Sequence, residues 1–143
     1  MATTNIQFSV AAHIMTALGD HYGEHCTSSF LAESVHATPS FVRKSISKLV
    51  KAGLVVTTRG NAGYCALSRT PAKISLLDIY RASEAPATFE IHNYPVEKTC
   101  RTSSNIKRIM GDVLPKAQRG FEERLATVTL ADMVAEVRKG TKA

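Results

Sequence analysis

The sequence has none of the features that mark a membrane-spanning or exported chain. No uninterrupted apolar run approaches the roughly 18–20 residues that cross a bilayer, so we expect no membrane partner. The N-terminus has no basic region followed by a hydrophobic one, so no signal peptide is expected. There are only three cysteines, an odd number. Without an export signal, this favours a reducing cytoplasm over a structural disulfide framework.

Recognisable catalytic and metal-binding motifs are also missing. The phosphate loop G-x-x-x-x-G-K and the zinc motif H-E-x-x-H are absent, and no Ser/His/Asp set or catalytic carboxylate pair can be identified. His21, His25 and Cys26 lie in one polar loop, but no tight cluster with a zinc spacing completes four ligands there. We therefore predict a chain that is not an enzyme and that holds no metal.

Acidic residues are absent from one long stretch of the chain. The 143 residues include 18 basic and 12 acidic side chains, for a net charge of +6, and none of the acidic ones lies between positions 39 and 67. A basic balance of this kind suits a polyanionic partner. The hydrophobic fraction of 44% is enough for the core of one small domain.

Residues 28–67 predict a helix-turn-helix followed by a β-hairpin. A short helix capped by Ser28 or Thr27 precedes a second helix, which Thr38 caps and Gly53 ends. The second helix has apolar residues at the spacing of one buried stripe, namely Val42, Ile46, Leu49 and Val50. The β-branched residues of 54–58 then predict a strand, a glycine-containing turn follows at 59–63, and 64–67 form the returning strand.

The opposite face of the second helix is cationic, and the tip of the hairpin is basic. Such a face can contact phosphates and base edges of double-stranded DNA. We expect phosphate contacts from Arg43, Lys44, Lys48, Lys51 and Arg59, and base contacts from Ser40, Arg43, Ser47, Arg59 and Asn61. Ser28 and Tyr64 complete the predicted DNA-binding set. A plain solvated helix face is the alternative, but it does not explain why the whole block lacks acidic residues.

Several of these motifs resemble the Rrf-two family of bacterial winged-helix regulators, and the resemblance extends over nearly the whole chain. The matching stretches are LAE, KLVKAGLV, RGNAGY and ISLLDIYRA, while FEIHNYP and TLADMVAEV look more like the family's YwnA-like branch. The family's hairpin turn is usually richer in glycine, and Asn61 and Ala62 replace part of it here.

The predicted fold is mostly α with a small β-hairpin: a winged helix-turn-helix domain plus a long dimerisation helix. We expect the DNA-binding domain over 1–84, a sensor or linker loop over 85–102, and the dimerisation helix with a C-terminal helix over 103–143. Ser75, with Asp78 three positions on, should start a helix after the hairpin with a variant of the capping box. Ser103 or Ser104 should cap the long helix, and Gly111 and Pro115 should interrupt and kink it.

The long helix carries an apolar stripe that a second copy of the chain could cover. Its members are Ile106, Ile109, Met110, Val113, Leu114, Phe121 and Leu125. The family places its dimer interface on such a helix, and the resemblance implies the same here. Two-fold symmetry then predicts an inverted-repeat operator with half-sites about 34 Å apart. A monomeric core helix is the alternative explanation of the stripe.

The loop before the long helix contains the candidate sensor. Several family members hold an iron–sulfur cluster on three cysteines there, but this chain has only Cys100, so we expect no such cluster and no cofactor. Lys98, Arg101 and the nearby helix N-terminus favour the thiolate of Cys100. Cys26 is a candidate disulfide partner and His92 a candidate acid–base neighbour. A thiol without a role is the alternative.

The predicted function is therefore a cytoplasmic, homodimeric, sequence-specific transcriptional regulator, more specifically a repressor, switched by oxidation or modification of Cys100. Two alternatives stay open from the sequence: a winged-helix module that binds a protein rather than DNA, and a regulator switched by a small-molecule ligand.

Overall fold

The protein is described by a computed structural model that covers residues 5–58 and 63–140. The described residues form six α-helices and a three-stranded antiparallel sheet with strand order β1-β3-β2. The helices are α1 (Gln7–Asp20), α2 (Ser28–Val35), α3 (Pro39–Lys51), α4 (Leu76–Ala82), α5 (Arg101–Ala126) and α6 (Leu130–Gly140). The strands are β1 (Cys26–Thr27), β2 (Val55–Thr57) and β3 (Tyr64–Leu67). No helix among these residues is long and apolar enough to cross a membrane.

Contacts divide the chain into two units. The first comprises Met1–Ala85 and Leu125–Ala143, and the second comprises Pro86–Arg124. This division differs from the predicted one, which grouped 103–143, because the C-terminal helix belongs to the first unit. There α6 packs on α1, and its start is joined to the start of α4: Leu130 N donates to Ile74 O, and Leu76 N donates to Val128 O, both at 2.8 Å.

The core of the first unit is apolar and is shared by α1, α2, α3, α4, α6 and the sheet. Ile14, Leu31, Leu49, Ile79 and Leu130 contribute fully buried side chains from five different helices. Burying each aliphatic side chain of this size contributes about 1.5–3 kcal/mol. This core holds α3 against the hairpin and so positions the predicted DNA-binding residues.

The helix starts follow the capping predictions in most cases. Thr27 Oγ accepts from Phe30 N at 3.1 Å, and Thr38 Oγ accepts from Phe41 N at 3.3 Å. Ser75 and Asp78 form a reciprocal capping box at α4. Each such cap contributes about 1 kcal/mol. Gly53 has φ +79 after α3, as its position predicts.

The sequence prediction of α5 needs two corrections. The helix begins at Arg101 rather than after Ser103 or Ser104, because Ser103 Oγ instead accepts from the backbone N–H of Glu97 at 2.8 Å. It also runs through Gly111 and Pro115 without interruption over 26 residues. A proline removes one backbone donor, and in a helix of this length the remaining hydrogen bonds keep the backbone helical.

One strand was not predicted at all. Residues 20–26 were expected to form a loop, but Cys26 and Thr27 pair with Cys65 and Tyr64 of β3. Two residues are too few to show the alternating pattern of a strand. The partner strand is also distant in the sequence, so only the tertiary structure reveals the pairing.

Candidate nucleic-acid interface

Helix α3 presents one face to the core and the rest to the surface. Val42, Ser45, Ile46 and Leu49 are buried, at the i, i+3, i+4 and i+7 positions. Val50 was predicted to be buried but is exposed. Val50 lies one turn after Ser47 on the outer face of the helix. The small residue Ser45 is buried instead. The candidate residues Ser40, Arg43, Lys44, Ser47 and Lys51 are all exposed.

Four of the predicted DNA-binding residues line one surface groove of about 350 Å³ between α3 and the β2–β3 hairpin. Arg43 and Ser47 come from α3, Ser28 is the first residue of α2, and Tyr64 begins β3. We call this concavity the α3–hairpin groove. The four predicted residues supply one guanidinium and three hydroxyl groups, which are suitable donors for phosphates and base edges.

The base of the hairpin is held by a double contact. Thr58 N donates to Tyr64 O at 3.0 Å, and Tyr64 N donates to Thr58 Oγ at 3.2 Å. The ring of Tyr64 also packs on His25, with 4.7 Å between ring centres. These contacts fix the outer edge of the groove. The predicted contacts Arg59 and Asn61 lie outside the described residues.

Lys44 and Lys48 face a different surface from Arg43 and Ser47. They line a second depression with Phe41 and Ser83. Lys48 is half-buried, its Nζ donates to Ser83 O at 3.5 Å, and the same Nζ lies 3.8 Å from Glu84 Oε2. Lys51 Nζ lies 3.9 Å from Glu84 Oε1. Glu84 therefore brings a negative charge beside a helix whose own segment has none.

This arrangement separates the predicted cations into two groups. Lys48 and Lys51 are near Glu84, whereas Arg43 and Lys44 make no ion pair within the described residues. Sequence reasoning missed Glu84 because it lies far along the chain, beyond α4. Glu84 follows the end of α4, and no pattern in the sequence around α3 indicates that it lies nearby.

The three cysteines lie in different surroundings. Cys26 and Cys65 are buried, whereas Cys100 is exposed. Burial raises the pKa of the Cys26 thiol, and Glu24 adds to the rise. Burial, together with the nearby Cys26, also raises the pKa of the Cys65 thiol. Both effects oppose the thiolate form, which is the reactive one.

Cys100 lies directly before α5. Its Sγ accepts a hydrogen bond from the backbone N–H of Ser103 at 3.4 Å, and its carbonyl accepts one from Ser104 N at 3.0 Å. The sulfur thus occupies the position that a capping oxygen usually fills. His92 stacks on Tyr94, with 4.6 Å between ring centres, and no hydrogen bond among the described residues joins it to Cys100. The candidate role of His92 as an acid–base neighbour of Cys100 therefore stays a prediction.

The polar loop with His21 and His25 also directs its side chains apart. His21 Nδ1 is 2.9 Å from Glu24 Oε2, His25 packs on Tyr64, and Cys26 lies in the sheet. Because each of these three side chains has a different partner, their closeness in the sequence does not gather them into one metal-binding cluster.

The second unit consists of the 86–100 segment and most of α5, and it contains an apolar groove of about 760 Å³. Phe89 and Ile91 form one wall, and Gly111, Leu114 and Phe121 of α5 form the other. Gln118 Oε1 accepts hydrogen bonds from the N–H and the Oγ of Thr88, at 3.1 and 2.9 Å. These bonds hold the segment on the helix. We call this concavity the second-unit groove.

No residue of α5 is buried. Of the predicted dimer stripe, Ile109 is 44% exposed and Val113 is 49% exposed, whereas Ile106, Met110, Leu114, Phe121 and Leu125 are half-buried. An apolar stripe of this size left in water usually marks an interaction surface.

The sequence profile of the Rrf2 (Rrf-two) family, described as an iron-dependent transcriptional regulator, matches residues 4–136. The chain belongs to the Rrf2 family. It is a DNA-binding regulator of transcription.

Individual relatives agree with this assignment. YwnA of Bacillus subtilis (strain 168), described as an HTH-type transcriptional regulator, is 33% identical over 131 residues, which are 91% of this chain and 96% of YwnA. A solved Lactobacillus plantarum protein described as a transcriptional regulator superposes with a TM-score of 0.79 at 27% identity, covering 94% of this chain and 91% of that one. For T. potens IscR the TM-score is 0.71 at 25% identity, covering 99% and 93%.

The Rrf2 family is described as iron-dependent, so we compare the possible metal ligands of this chain with those that an iron–sulfur cluster requires. Iron–sulfur clusters are held by several thiolates. Cys26 and Cys65 are core residues of the first unit, and Cys100 belongs to the second. Across residues 5–58 and 63–140, no group of three or more His, Cys, Asp or Glu side chains could hold a metal ion. The residues present therefore do not fit such a cluster.

Proposed function

We propose that this Rrf2 regulator is a homodimeric, cytoplasmic repressor that binds an inverted-repeat operator. The α3–hairpin groove carries this proposal, because Arg43, Ser47, Ser28 and Tyr64 together line one concavity beside the exposed face of α3. A dimer of such helices reads half-sites about 34 Å apart on one face of DNA. A dimer bound over a promoter would block access by RNA polymerase.

The exposed apolar residues of the α5 stripe support the dimer. Ile109 and Val113 in the middle of this helix stay 44% and 49% exposed in the single chain. Pairing two copies through Ile109 and Val113 would remove apolar surface from water at about 25 cal/mol per Å². We therefore propose α5, rather than the first unit, as the dimer interface, with Ile106, Met110, Leu114, Phe121 and Leu125 flanking its centre.

The free cations of α3 support the assignment of DNA contacts. Arg43 and Lys44 lack acidic partners among the described residues and are proposed to contact phosphates, with Arg43 and Ser47 also reaching base edges. Lys48 and Lys51 are proposed to contribute less to phosphate binding, because the carboxylate of Glu84 lies beside both. Ser40, Arg59 and Asn61 remain proposed contacts.

We also propose Cys100 as the residue through which oxidants change DNA binding. Its thiol is exposed, whereas the other two are buried. A hydroperoxide would convert the thiol to a sulfenic acid and would itself be reduced to an alcohol or to water. Because the sulfur accepts the hydrogen bond of Ser103 N, oxidation alters the first turn of α5, the proposed dimer helix.

The test is a gel shift with DNA from upstream of the protein's own gene. Wild type and Cys100→Ser are compared in the reduced state and after mild peroxide. We expect specific binding in both, and a change on oxidation in the wild type only. Between about 50 and about 200 mM salt, four phosphate contacts per dimer would weaken binding roughly a hundredfold.

Other outcomes point to the alternatives. Binding that is indifferent to oxidant would discard the thiol switch and favour a small-molecule effector, for which the second-unit groove has room. Failure to bind both this DNA and any sequence from a random-sequence DNA selection would favour a protein-interaction module.

A further inference from the structure

Two thiols face each other in the small sheet of the first unit. Cys26 in β1 and Cys65 in β3 are direct partners in the antiparallel register. Directly opposed residues of a sheet project from the same face, and here that face is the core. Cys26 is 5% exposed and Cys65 is 3% exposed. The function proposed above assigns no role to either thiol, although Cys65 lines the α3–hairpin groove.

The hydrogen-bonding pattern sets the spacing of this pair. Thr58 N donates to Tyr64 O across β2 and β3. The N–H and C=O groups of successive strand residues point in opposite directions. Those of Tyr64 point toward β2, so those of Cys65 point toward β1. Cys65 and its partner Cys26 are therefore a hydrogen-bonded pair. The Cα atoms of such pairs are about 5.5 Å apart. That Cα spacing is within the range of about 4.4–6.8 Å found for disulfides. The Cβ atoms of opposed residues, however, are about 4.5–5.5 Å apart, which is at or beyond the upper end of the roughly 3.5–4.5 Å of a relaxed disulfide.

We propose that Cys26 and Cys65 bind one soft, thiol-seeking cation of the copper(I) class with two sulfur ligands. A cation held between the two sulfurs bridges a longer sulfur–sulfur separation than a direct S–S bond of about 2.05 Å does. Thiolates suit copper(I), zinc and iron–sulfur clusters. Zinc usually takes four ligands and iron–sulfur clusters several thiolates, whereas no group of three or more possible ligands is found among the described residues, so a two-sulfur site favours copper(I). Each thiol releases one proton as its metal–sulfur bond forms, and nothing is oxidised or reduced.

The site lies where a bound cation would affect the DNA-binding surface. Cys65 lines the α3–hairpin groove together with Arg43, and Cys26 directly precedes Thr27, the cap of α2. Two thiolates and one monovalent cation leave one negative charge at the inner side of this groove. That charge would oppose phosphate, so the cation is expected to weaken DNA binding. This last step rests on the proposed function, whereas cation binding itself does not.

The experiment measures copper(I) binding by the full chain without DNA, under anaerobic and reducing conditions. The chain competes with bathocuproine disulfonate, whose copper(I) complex loses its colour as the protein takes the cation. Cys100→Ser is the matched control, because it removes the exposed thiol and keeps the buried pair. We expect one equivalent per chain in the wild type and in Cys100→Ser. Cys26→Ser and Cys65→Ser should each lower the affinity for copper(I) by more than the roughly 10- to 100-fold that is typical when a residue behind a metal ligand is changed.

Equal competition by the wild type and both core variants, or loss of binding in Cys100→Ser, would overturn the proposal. Circular dichroism checks that the variants are folded. If one is not, X-ray absorption of copper-loaded Cys100→Ser decides: two sulfur ligands are expected, and a third ligand or a nitrogen ligand contradicts the site. A gel shift with and without copper(I) then tests the regulatory step separately. Unchanged DNA affinity would refute that step and leave the cation site standing.

Discussion

Arg43 and Lys48 lie on the same helix but have different electrostatic surroundings. Arg43 is exposed in the α3–hairpin groove, while Lys48 is half-buried, hydrogen-bonded to Ser83 O and close to Glu84. An exposed ion pair stabilises the fold by only about 0.2–1 kcal/mol. Its main effect here is to reduce the charge that α3 can offer to DNA.

The first prediction concerns Arg43. Arg43→Ala should weaken operator binding at least about tenfold, because one charge-assisted contact per half-site contributes about 1–3 kcal/mol. The dependence of affinity on salt should also become less steep. The measurement is fluorescence anisotropy on operator DNA over a salt series. Lys73→Ala, which removes an exposed lysine from a different element, is the charge-matched control. Equal losses in the two variants would contradict the assignment of Arg43.

The second prediction concerns Glu84. Glu84→Gln removes the carboxylate next to Lys48 and Lys51 and keeps the side-chain shape. DNA affinity should rise roughly two- to fivefold, as expected from releasing exposed pairs of about 0.2–1 kcal/mol. The same anisotropy series measures it. If affinity fell instead, Glu84 would be needed to position α3, and the electrostatic account would be wrong.

At the scale of elements, the close packing of α1 and α6 depends on a missing side chain. A Cβ added at Gly19 would lie 2.8 Å from Cγ2 of Val134 and 3.4 Å from Cγ of Leu130. Gly19 is in the last turn of α1, and alanine is favoured over glycine in a helix, by up to about 1 kcal/mol at interior positions. The contact between the two helices therefore outweighs the helix propensity of this position.

The third prediction follows from that contact. Gly19→Ala should lower the free energy of unfolding, since overpacking costs about 1–3 kcal/mol. Val134→Ala removes the methyl groups that the new Cβ would meet. In a double-mutant cycle measured by urea unfolding, the double variant should be less destabilised than the sum of the single ones, by about 0.5–3 kcal/mol. Strict additivity would show that the two positions do not touch.

At the scale of the whole molecule, the exposed part of the α5 stripe is the basis of the proposed dimer. The side chains of Ile109 and Val113 are about half exposed, although both are strongly apolar. A charge placed in the middle of a paired stripe is buried twice in a two-fold dimer, once from each copy. This makes a single substitution there unusually informative.

The fourth prediction concerns this stripe. Val113→Glu should shift the chain from dimer to monomer, because two carboxylates would have to be buried without partners. Sedimentation velocity measures the change, and operator affinity should fall with it. Arg119→Glu puts the same side chain on another exposed part of α5 and should leave the dimer intact. A dimer that survives Val113→Glu would move the interface away from α5.

Much of this protein follows from its sequence alone. The caps at Thr27, Thr38 and Ser75, the left-handed glycine at 53 and the burial of Val42, Ile46 and Leu49 in α3 depend on residues close together in the chain, so local chemistry predicts them. The predicted burial of Val50 was wrong. The winged-helix fold and the Rrf2 family follow from motifs that are likewise local.

Only the tertiary structure decided which distant residues meet. It paired Cys26 with Cys65, brought Glu84 beside Lys48, and packed α6 on Gly19 of α1. It also kept α5 continuous through Pro115. These features arise from packing and pairing between elements far apart in the sequence. No local pattern encodes which partner an exposed cation or a two-residue strand will find once the core has formed.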